Sequence, residues 1–480
     1  MTPAVTDPPT LGSTVRDPGS FRDPSGFVYR REGRLLRQVN RRFADHWDAL
    51  VASGFLSDLV KADLLVPFEL AEPSAAADPA TAHAVIAPEP IDFLSYPYEW
   101  TFSQLQDAAL LTLDVQARAQ KAGFVLKDAS AYNIQFRGGR PILIDTLSFE
   151  TARPDAPWIA YRQFCQHFLA PLALMAYRDV RLGTMLRENL EGLPLDLTSG
   201  LLPGRTRLRF GLLSHLHLHA RAERRYDRSS DDGAEAGDGA AARRAEPKMS
   251  DVRRAALIDS LRSATRKLSW DPGRTEWADY AGNTSYTDTA TADKDRVVRE
   301  MLAATHGSRV WDLGANTGRF SRIAADLGKQ VVAFDIDPGA AELHYRAIRR
   351  ERQSSILPLV GDVANPTPGL GWAGAERQSL LDRANADATL SLALVHHLAI
   401  GRNVPLQDIA SWFARLAPEA IVEFVPKEDP MVRFLLASRE DVFDDYTLDG
   451  FRAAVAPVFE TITETRLAES PRTMFHLRRR

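Results

Sequence analysis

The sequence predicts an α/β protein whose C-terminal half is a parallel sheet with helices on both faces, preceded by a smaller α+β domain. Three observations predict this fold class. Short apolar strands alternate with helical patterns after residue 309, as in RVWDLG, QVVAFDID and ILPLVGD. A glycine-rich turn follows the first of these strands. A polar stretch of small residues, 224–251, lacks apolar periodicity and separates the two halves.

The length and the composition breaks predict the division into domains. A chain of 480 residues is expected to form two or three domains, since domains cluster near ~100–200 residues. We expect a disordered N-terminus over 1–26, the α+β domain over 27–225, a flexible linker over 226–251 and the α/β domain over 252–480. No apolar run has the roughly 18 to 20 residues of a membrane span, and no secretory signal is recognisable. These features predict a cytoplasmic protein.

Charge and cysteine content narrow the possible partners. The formal net charge is −4 at pH 7, which gives no overall basic character and argues against nucleic acid as a partner. The hydrophobic content of 45% and the charged content of 25% are ordinary for a globular protein. Cys165 is the single cysteine, so neither an intrachain disulfide nor a cysteine metal cluster is expected. Its apolar helical surroundings predict a small core residue.

The elements of the first half follow from local patterns. GFVYRREGRLLRQV predicts a reduced β-hairpin near the start of the α+β domain. SYPYEWTFSQLQDAALLTLDVQ, residues 95–116, predicts an aromatic cluster, a capping residue and a long amphipathic helix. NIQF and ILID, joined by RGGRP, predict a second hairpin. The alternating His215, His217 and His219 would share one face of a strand, but their context is helical, so no metal site is expected there.

A set of polar residues surrounds the second hairpin. Asp128 and Asn133 precede it, and Asp145 ends it. This order resembles the catalytic loop and metal-binding aspartate of protein-kinase-like phosphotransferases, which implies a base at Asp128 and metal ligands at Asn133 and Asp145. The glycine usual after the metal aspartate is Thr146, no glycine-rich phosphate loop is recognisable, and Lys61 is the best-placed lysine. We therefore expect a degenerate kinase-like domain, with a chance βαββ unit as the alternative.

The strands of the second half alternate with helices. RVWDLG, QVVAFDID, ILPLVGD, ATLSLALV and EAIVEFVP each predict a buried strand. GRFSRIAADLG and PGAAELHYRAIRRE predict helices, the first from its apolar spacing and the second from the proline near its start. The last stretch, 447–479, predicts a helix and an antiparallel hairpin at the edge of the sheet.

Acids end three of these strands, at Asp312, Asp335 and Asp362. After the first strand, Gly314 allows a sharp turn and lets a ligand approach the backbone. VWDLGANTG, FDID, GDV and ATLSLALVHHL occur in this order and resemble the four motifs of class I S-adenosylmethionine (SAM)-dependent methyltransferases. The resemblance covers residues 275–480 and implies a Rossmann-like methyltransferase sheet.

The resemblance also implies SAM as the cofactor and a set of residues that bind it: Asp312, Gly314, Asn316, Gly318, Asp335 and Asp362. Within this set, Asp335 would accept from both ribose hydroxyls, Asp362 would accept from the adenine amino group, and Asp312 would help the loop hold the methionine end. The residue at 316 is asparagine where the family motif usually has glycine. Upstream, Tyr286 and Lys294 are candidates for a lid over the cofactor, with a packed leading helix as the alternative.

Methyl transfer is an in-line displacement that depends mainly on positioning and on excluding water. His396 and His397 follow the fourth strand, and either is a candidate base for a hydroxyl acceptor, with packing on the sheet as the alternative. Glu423 and Lys427 are candidates for the wall of the acceptor pocket or for a salt-linked loop. The sequence leaves open the acceptor, for which a small molecule or glycan is favoured, and the oligomeric state.

Two other functions stay open. One is an ATP-dependent small-molecule phosphotransferase that uses the kinase-like domain. The other is a non-catalytic SAM-binding or scaffold protein. The order of the two regions, KDASAYNIQF…PILIDTLSFE before the methyltransferase motifs, also resembles a bacterial family of nodulation-associated methyltransferase-like proteins.

Overall fold

The computed structural model describes residues 14–222, 249–274, 288–437 and 440–480. Most of the predicted linker lies outside them. Residues 14–26, which the sequence predicts to be disordered, are instead ordered, and their first strand pairs with the strand Gly26–Arg31. The prediction was wrong there because the segment is held by distant partners, such as the Arg22–Glu376 ion pair at 2.6 Å, which local composition does not reveal.

The secondary structure of the described residues is numbered in chain order. The strands are β1 (Thr14–Arg16), β2 (Gly26–Arg31), β3 (Arg34–Asn40), β4 (Phe68–Leu70), β5 (Ala82–Pro88), β6 (Phe124–Leu126), β7 (Ile134–Arg137), β8 (Arg140–Leu143), β9 (Phe149–Thr151), β10 (Arg309–Leu313), β11 (Gln330–Asp335), β12 (Ile356–Val360), β13 (Ala388–Ser391), β14 (Glu419–Phe424), β15 (Phe459–Arg466) and β16 (Thr473–Arg479). The α-helices are α1 (Ala44–Ala52), α2 (Phe55–Lys61), α3 (Phe102–Lys121), α4 (Tyr161–Phe164), α5 (Ala170–Tyr177), α6 (Leu195–Leu201), α7 (Phe210–Leu212), α8 (Asp251–Arg266), α9 (Asp288–Ala304), α10 (Arg319–Asp326), α11 (Pro338–Glu351), α12 (Leu406–Leu416), α13 (Pro430–Leu436) and α14 (Leu448–Val455). Segments of 3-10 helix lie at Arg41–Phe43, Pro73–Ala75, Pro97–Glu99, Ala131–Asn133, Val180–Arg187, Gly204–Leu208, Pro272–Arg274 and Trp372–Gly374, and π-helical turns at Cys165–Leu169, Leu213–Leu218 and His397–Gly401.

The C-terminal sheet has seven strands in the order β12-β11-β10-β13-β14-β16-β15. The first five are parallel, while β16 runs antiparallel to β14 and β15 runs antiparallel to β16. This arrangement confirms the predicted α/β fold and its edge hairpin. Strand order reverses at β10, since β11 lies on one side and β13 on the other. Ligands bind at such a point in open α/β sheets, beyond the carboxyl ends of the strands.

Burial and helix caps explain why these segments form strands and helices. Every residue of β14 is buried, as expected for a parallel strand that is covered on both faces. Helix α11 begins with a proline, and Asp337 caps it by accepting the Gly339 N–H at 2.7 Å. Helix α3 has a capping box in which Thr101 and Gln104 bond each other's backbone N–H groups.

The N-terminal half contains a five-stranded antiparallel sheet in the order β1-β2-β3-β5-β4. Both predicted hairpins are confirmed, as β2 with β3 and β7 with β8. Gly138 and Gly139 turn the second hairpin with φ of 55° and 72°, values that favour glycine. Cys165 is fully buried, which confirms its predicted place in the core. Among the described residues, none of the helices is long and apolar enough to cross a lipid bilayer.

The two halves share an extensive buried junction. The ring of Phe93 packs on β10 and β11, 5.4 Å from the ring of Trp311 and 6.0 Å from that of Phe334. Glu99 and Arg383 form a buried bidentate ion pair at 2.5 and 2.9 Å. Residues of the first half therefore cover part of the C-terminal sheet.

The helix α8 lies on the N-terminal side of this junction. The sequence assigns it to the C-terminal domain, but it packs along α3, where Gln106 donates to the carbonyls of Thr265 and Leu268 at 2.9 and 2.8 Å. These contacts join residues more than a hundred positions apart in the chain, so local patterns could not predict them. The boundary at residue 252 stays a prediction.

Candidate functional site

The glycine loop after β10 has the backbone shape that the motif predicts. Gly314 and Gly318 have φ of 79° and 82°, in the left-handed region that favours glycine. Asn316, which replaces the usual glycine, has φ of 49°, and asparagine tolerates this region better than most residues do. A Cβ atom on Gly318 would lie 2.0 Å from Nε2 of His344. The loop is therefore fixed both by backbone conformation and by close packing.

Asp335, at the end of β11, is oriented by the loop that it faces. Its Oδ2 accepts the N–H of Asn316 at 2.7 Å, and its Oδ1 accepts the N–H of Asp337 at 2.8 Å. Its residue exposure is 9%, and burial raises its pKa to about 6. A carboxylate oxygen has two lone pairs, so each oxygen keeps one acceptor position for a ligand.

Asp312 lies on β10, deeper in the fold. It is 2% exposed, and its Oδ2 accepts the hydroxyl of Ser321 at 2.6 Å. Burial raises its pKa to about 6, and the nearby charge of Asp335 adds to the shift. The Asp312 carboxylate thus ties β10 to Ser321 of α10, the helix that follows the glycine loop.

The third predicted acid, Asp362, is half-buried just after β12. It accepts the N–H of Ala364 at 2.9 Å, and the guanidinium group of Arg402 lies 3.4 Å away. The same edge of the sheet carries Ile336, whose exposure of 50% is high for a large apolar residue. Sequence reasoning missed Ile336, although its place directly after Asp335 puts it at the carboxyl edge of the sheet. The edge therefore offers an acceptor, a cation and an apolar surface.

Lys294 was a lid candidate, but the structure places it inside the packed helix α9. Its Nζ lies 2.6 Å from Oε2 of Glu423 at the end of β14, and both side chains are buried. Arg472 lies 3.4 Å from Glu423 and 2.7 Å from Asp429, also buried. These four side chains form one buried charged cluster. A contact between Lys294 and a cofactor stays a prediction, and Tyr286 lies outside the described residues.

Glu423 and Lys427, which the sequence offers as a pocket wall or a salt-linked loop, both form ion pairs, but with different partners. Lys427 pairs with Asp441 at 2.8 Å, while Glu423 pairs with Lys294 and Arg472. Lys427 is four residues from Glu423, but β14 ends between them and the chain leaves the sheet. No local signal identifies Arg472, which reaches the cluster from the edge hairpin.

The two histidines after β13 lie against this cluster. Their ring centroids are 4.2 Å apart. Burial lowers the pKa of both, and for His396 it lies well below the usual value, with His397 and Arg472 adding to the shift. His396 is 2% exposed, and its Nδ1 makes no hydrogen bond within the described part of the chain. Burial therefore favours the neutral form of both imidazoles.

The kinase-like residues also come together. Burial raises the pKa of Asp128, and the nearby carboxylate of Asp145 adds to the shift. Asn133 donates its side-chain amide to the hydroxyl of Ser148 at 3.3 Å, and that hydroxyl donates to Asp145 at 2.6 Å. The spacing of the motif thus corresponds to a real cluster in space.

The rest of this cluster differs from a metal site. Nη2 of Arg37 lies 2.6 Å from Oδ1 of Asp145, and both side chains are largely buried. Burial works to raise the pKa of Asp145, but Arg37, the Ser148 hydroxyl, the Leu147 N–H and Lys127 together outweigh it, so the pKa lies below its usual value. Lys61, the lysine that the sequence favoured, is exposed and pairs with Asp58 on its own helix. A divalent metal at Asp145 would compete with the ion pair between Asp145 and Arg37.

The three alternating histidines make hydrogen bonds or ring contacts with other residues of the N-terminal half. His215 bonds the hydroxyl of Tyr161 at 2.9 Å, and the ring of His219 stacks on that tyrosine at 5.2 Å. His217 bonds the hydroxyl of Thr206 at 2.8 Å. Across the residues that the structure describes, no three His, Cys, Asp or Glu side chains are grouped so that they could hold a metal ion.

Comparison of the sequence with those of known proteins identifies a relative that matches nearly the whole chain. No protein-family model matches the chain. The chain is 38% identical over 465 residues to the nodulation protein NoeA of Rhizobium meliloti (strain 1021), a match that covers 96% of this chain and 95% of that protein. The match confirms the predicted resemblance to nodulation-associated proteins, and it includes the N-terminal half.

Solved structures give more distant likenesses. A chain of WbdD, described as a bifunctional kinase-methyltransferase, is 18% identical, with 43% of this chain and 43% of that chain covered and a TM-score of 0.30. Magnesium protoporphyrin IX methyltransferase from Synechocystis PCC 6803, solved with bound SAH, is 14% identical, with 42% of this chain and 93% of that chain covered and a TM-score of 0.30. Likenesses this distant do not establish a shared activity.

Proposed function

The chain belongs to the family of the nodulation protein NoeA, and we propose that it is a SAM-dependent methyltransferase with its site at the carboxyl edge of β10, β11 and β12. The observation that carries the proposal is the Asp335 carboxylate, which two backbone N–H groups hold with one acceptor position left on each oxygen. The two neighbouring hydroxyls of a ribose need such a pair of acceptors.

The surrounding residues fit the rest of the cofactor. The glycine loop exposes its backbone at the switch point of the sheet, next to Asp335. Ile336 offers apolar surface for a flat ring, and Asp362 offers an acceptor for an amino group. Asp312 holds the loop in place through Ser321. When bound, SAM supplies a methyl group that is activated by a positively charged sulfur.

The histidines are the proposed proton acceptors. As a methyl group is transferred to a hydroxyl, that hydroxyl must lose its proton, and a neutral imidazole can accept it. His397 is less buried than His396, so it is the better placed of the two to meet an acceptor that comes from solvent. The proposed acceptor is a small molecule or a glycan.

The test is formation of S-adenosylhomocysteine (SAH). Purified protein is incubated with SAM and fractions of small molecules and glycans, and SAH is measured against the Asp335→Ala variant. We expect at least one fraction to raise SAH formation in the wild type alone. If SAM binds but no fraction raises SAH above the variant, the protein binds the cofactor without catalysis, and the proposal fails.

The N-terminal cluster does not favour phosphotransfer, since Arg37 already holds the carboxylate that would bind a metal. We expect no magnesium-dependent ATP binding. Binding of ATP that the Asp145→Ala variant loses would instead support a phosphotransferase.

A further inference from the structure

A ridge of exposed apolar and basic side chains lies at residues 201–210, in the N-terminal half of the chain. Leu208, with an exposure of 87%, is the most exposed large apolar residue in the described part of the chain, and Phe210 is 77% exposed. Arginines alternate with them, and a further leucine completes the ridge: Leu201, Arg205, Arg207, Leu208, Arg209 and Phe210. Exposures this high mean that the apolar side chains project from the surface.

The turn that presents the ridge is firmly anchored. Thr206, at its centre, is fully buried and donates its hydroxyl to the carbonyl of Pro203 at 2.7 Å. The same hydroxyl bonds Nε2 of His217, whose Nδ1 bonds the hydroxyl of Ser199 at 2.8 Å. Burial and the nearby charge of Arg207 lower the pKa of His217, which favours its neutral form. The ridge is thus held out by a buried hydrogen-bond network.

The local charge is strongly positive. Residues 197–222 contain four arginines and no acidic residue, although the whole chain has a net charge of −4. Arg205 lies over the ring of Tyr177 at 5.8 Å, and Arg178 donates to the carbonyl of Leu201, which brings a further cation to the ridge. Among the described residues, no carboxylate lies within ion-pair distance of Arg205, Arg207 or Arg209.

We propose that this ridge docks the protein on the surface of an anionic phospholipid bilayer. Leucine and phenylalanine would enter the interface while the arginines contact the lipid phosphates, the combination by which peripheral proteins bind membranes. Each basic residue near such a surface adds to the electrostatic attraction. A second copy of the chain is a poorer occupant, because a symmetric contact would bring the same arginines together.

The experiment is co-sedimentation of the full-length protein with vesicles. Phosphatidylcholine vesicles are compared with vesicles that also contain phosphatidylglycerol. We expect binding to the mixed vesicles alone, weakened by added salt because the attraction is partly electrostatic. Both the Leu208→Ser/Phe210→Ser variant and the Arg205→Gln/Arg207→Gln/Arg209→Gln variant should lose roughly tenfold or more in affinity.

The matched control is Phe434→Ser, since Phe434 is 75% exposed but lies in α13. This variant should bind vesicles like the wild type, and all variants should unfold at the wild-type temperature because the changed residues are exposed. No binding to either vesicle, or equal binding by the ridge variants and the control, would overturn the proposal. Light scattering supplies the other test: loss of self-association in the Leu208→Ser/Phe210→Ser variant would assign the ridge to a second copy and also overturn it.

Discussion

Replacement of Asp335 by alanine tests the ribose contact directly. The change removes a carboxylate whose two oxygens accept backbone N–H groups at 2.7 and 2.8 Å. In the proposed complex each oxygen also accepts one ribose hydroxyl. A hydrogen bond to a charged group contributes about 1.5–3 kcal/mol, so the loss of two should weaken cofactor binding by about 3–6 kcal/mol, or roughly a hundredfold or more.

The assay separates the lost contact from a disturbed loop. Alanine also frees the N–H groups of Asn316 and Asp337, which alone could move the loop. We would therefore titrate the wild type and the variant with SAH and with its 2′,3′-dideoxy analogue. The wild type should lose most of its affinity for the analogue, while the variant should bind both ligands equally weakly.

The control for this experiment is Asp326→Ala. Asp326 is 61% exposed, and its carboxylate lies 3.4 Å from the guanidinium group of Arg299. Its removal should leave the affinity for SAH unchanged. If the Asp335→Ala variant binds SAH like the wild type, or still distinguishes SAH from the analogue by the wild-type factor, Asp335 does not hold the ribose.

Three further outcomes follow from the site. Cofactor affinity, measured by titration at several pH values, should be constant above neutrality and fall by up to about tenfold per pH unit below about 6, because the acceptor carboxylate then becomes protonated; no change down to pH 5 would contradict its role. Gly318→Ala should destabilise the fold by at least about 2 kcal/mol in denaturant unfolding, since φ is 82° and the new Cβ would clash with His344. The control Gly200→Ala, with open space around the new Cβ, should change the stability by about 1 kcal/mol or less. Glu423→Gln should cost about 3–5 kcal/mol by the same measurement, because it removes the negative charge that lies 2.6 Å from the buried ammonium group of Lys294. A cost under 1 kcal/mol would contradict a stabilising charge pair.

Local patterns in the sequence predict much of this fold. Strands β10 to β14 follow from short apolar runs, and the loop follows from glycines directly after the first of them. Strands and tight turns are determined largely by residues that are adjacent in the chain, so they can be recognised from the sequence alone. The same holds for the place of Asp312, Asp335 and Asp362, since the carboxyl ends of parallel strands share one edge. Their contacts with a cofactor stay predictions.

Contacts between distant residues could not be predicted in this way. Arg472 is 49 residues from Glu423, and Arg383 is 284 residues from Glu99. Each pair looks like ordinary surface charge in the sequence, because charge pairing has no periodicity. The ordered segment 14–26 was missed for the same reason. So was Arg37, which forms a largely buried ion pair with Asp145 at 2.6 Å.

The measurement that tests the central claim most directly is calorimetric titration of the purified full-length protein with SAM. We expect one molecule of SAM to bind per chain with micromolar affinity, and the Asp335→Ala variant to bind far more weakly. Absence of SAM binding by the folded wild-type protein would contradict the claim that the edge of β10, β11 and β12 is a cofactor site.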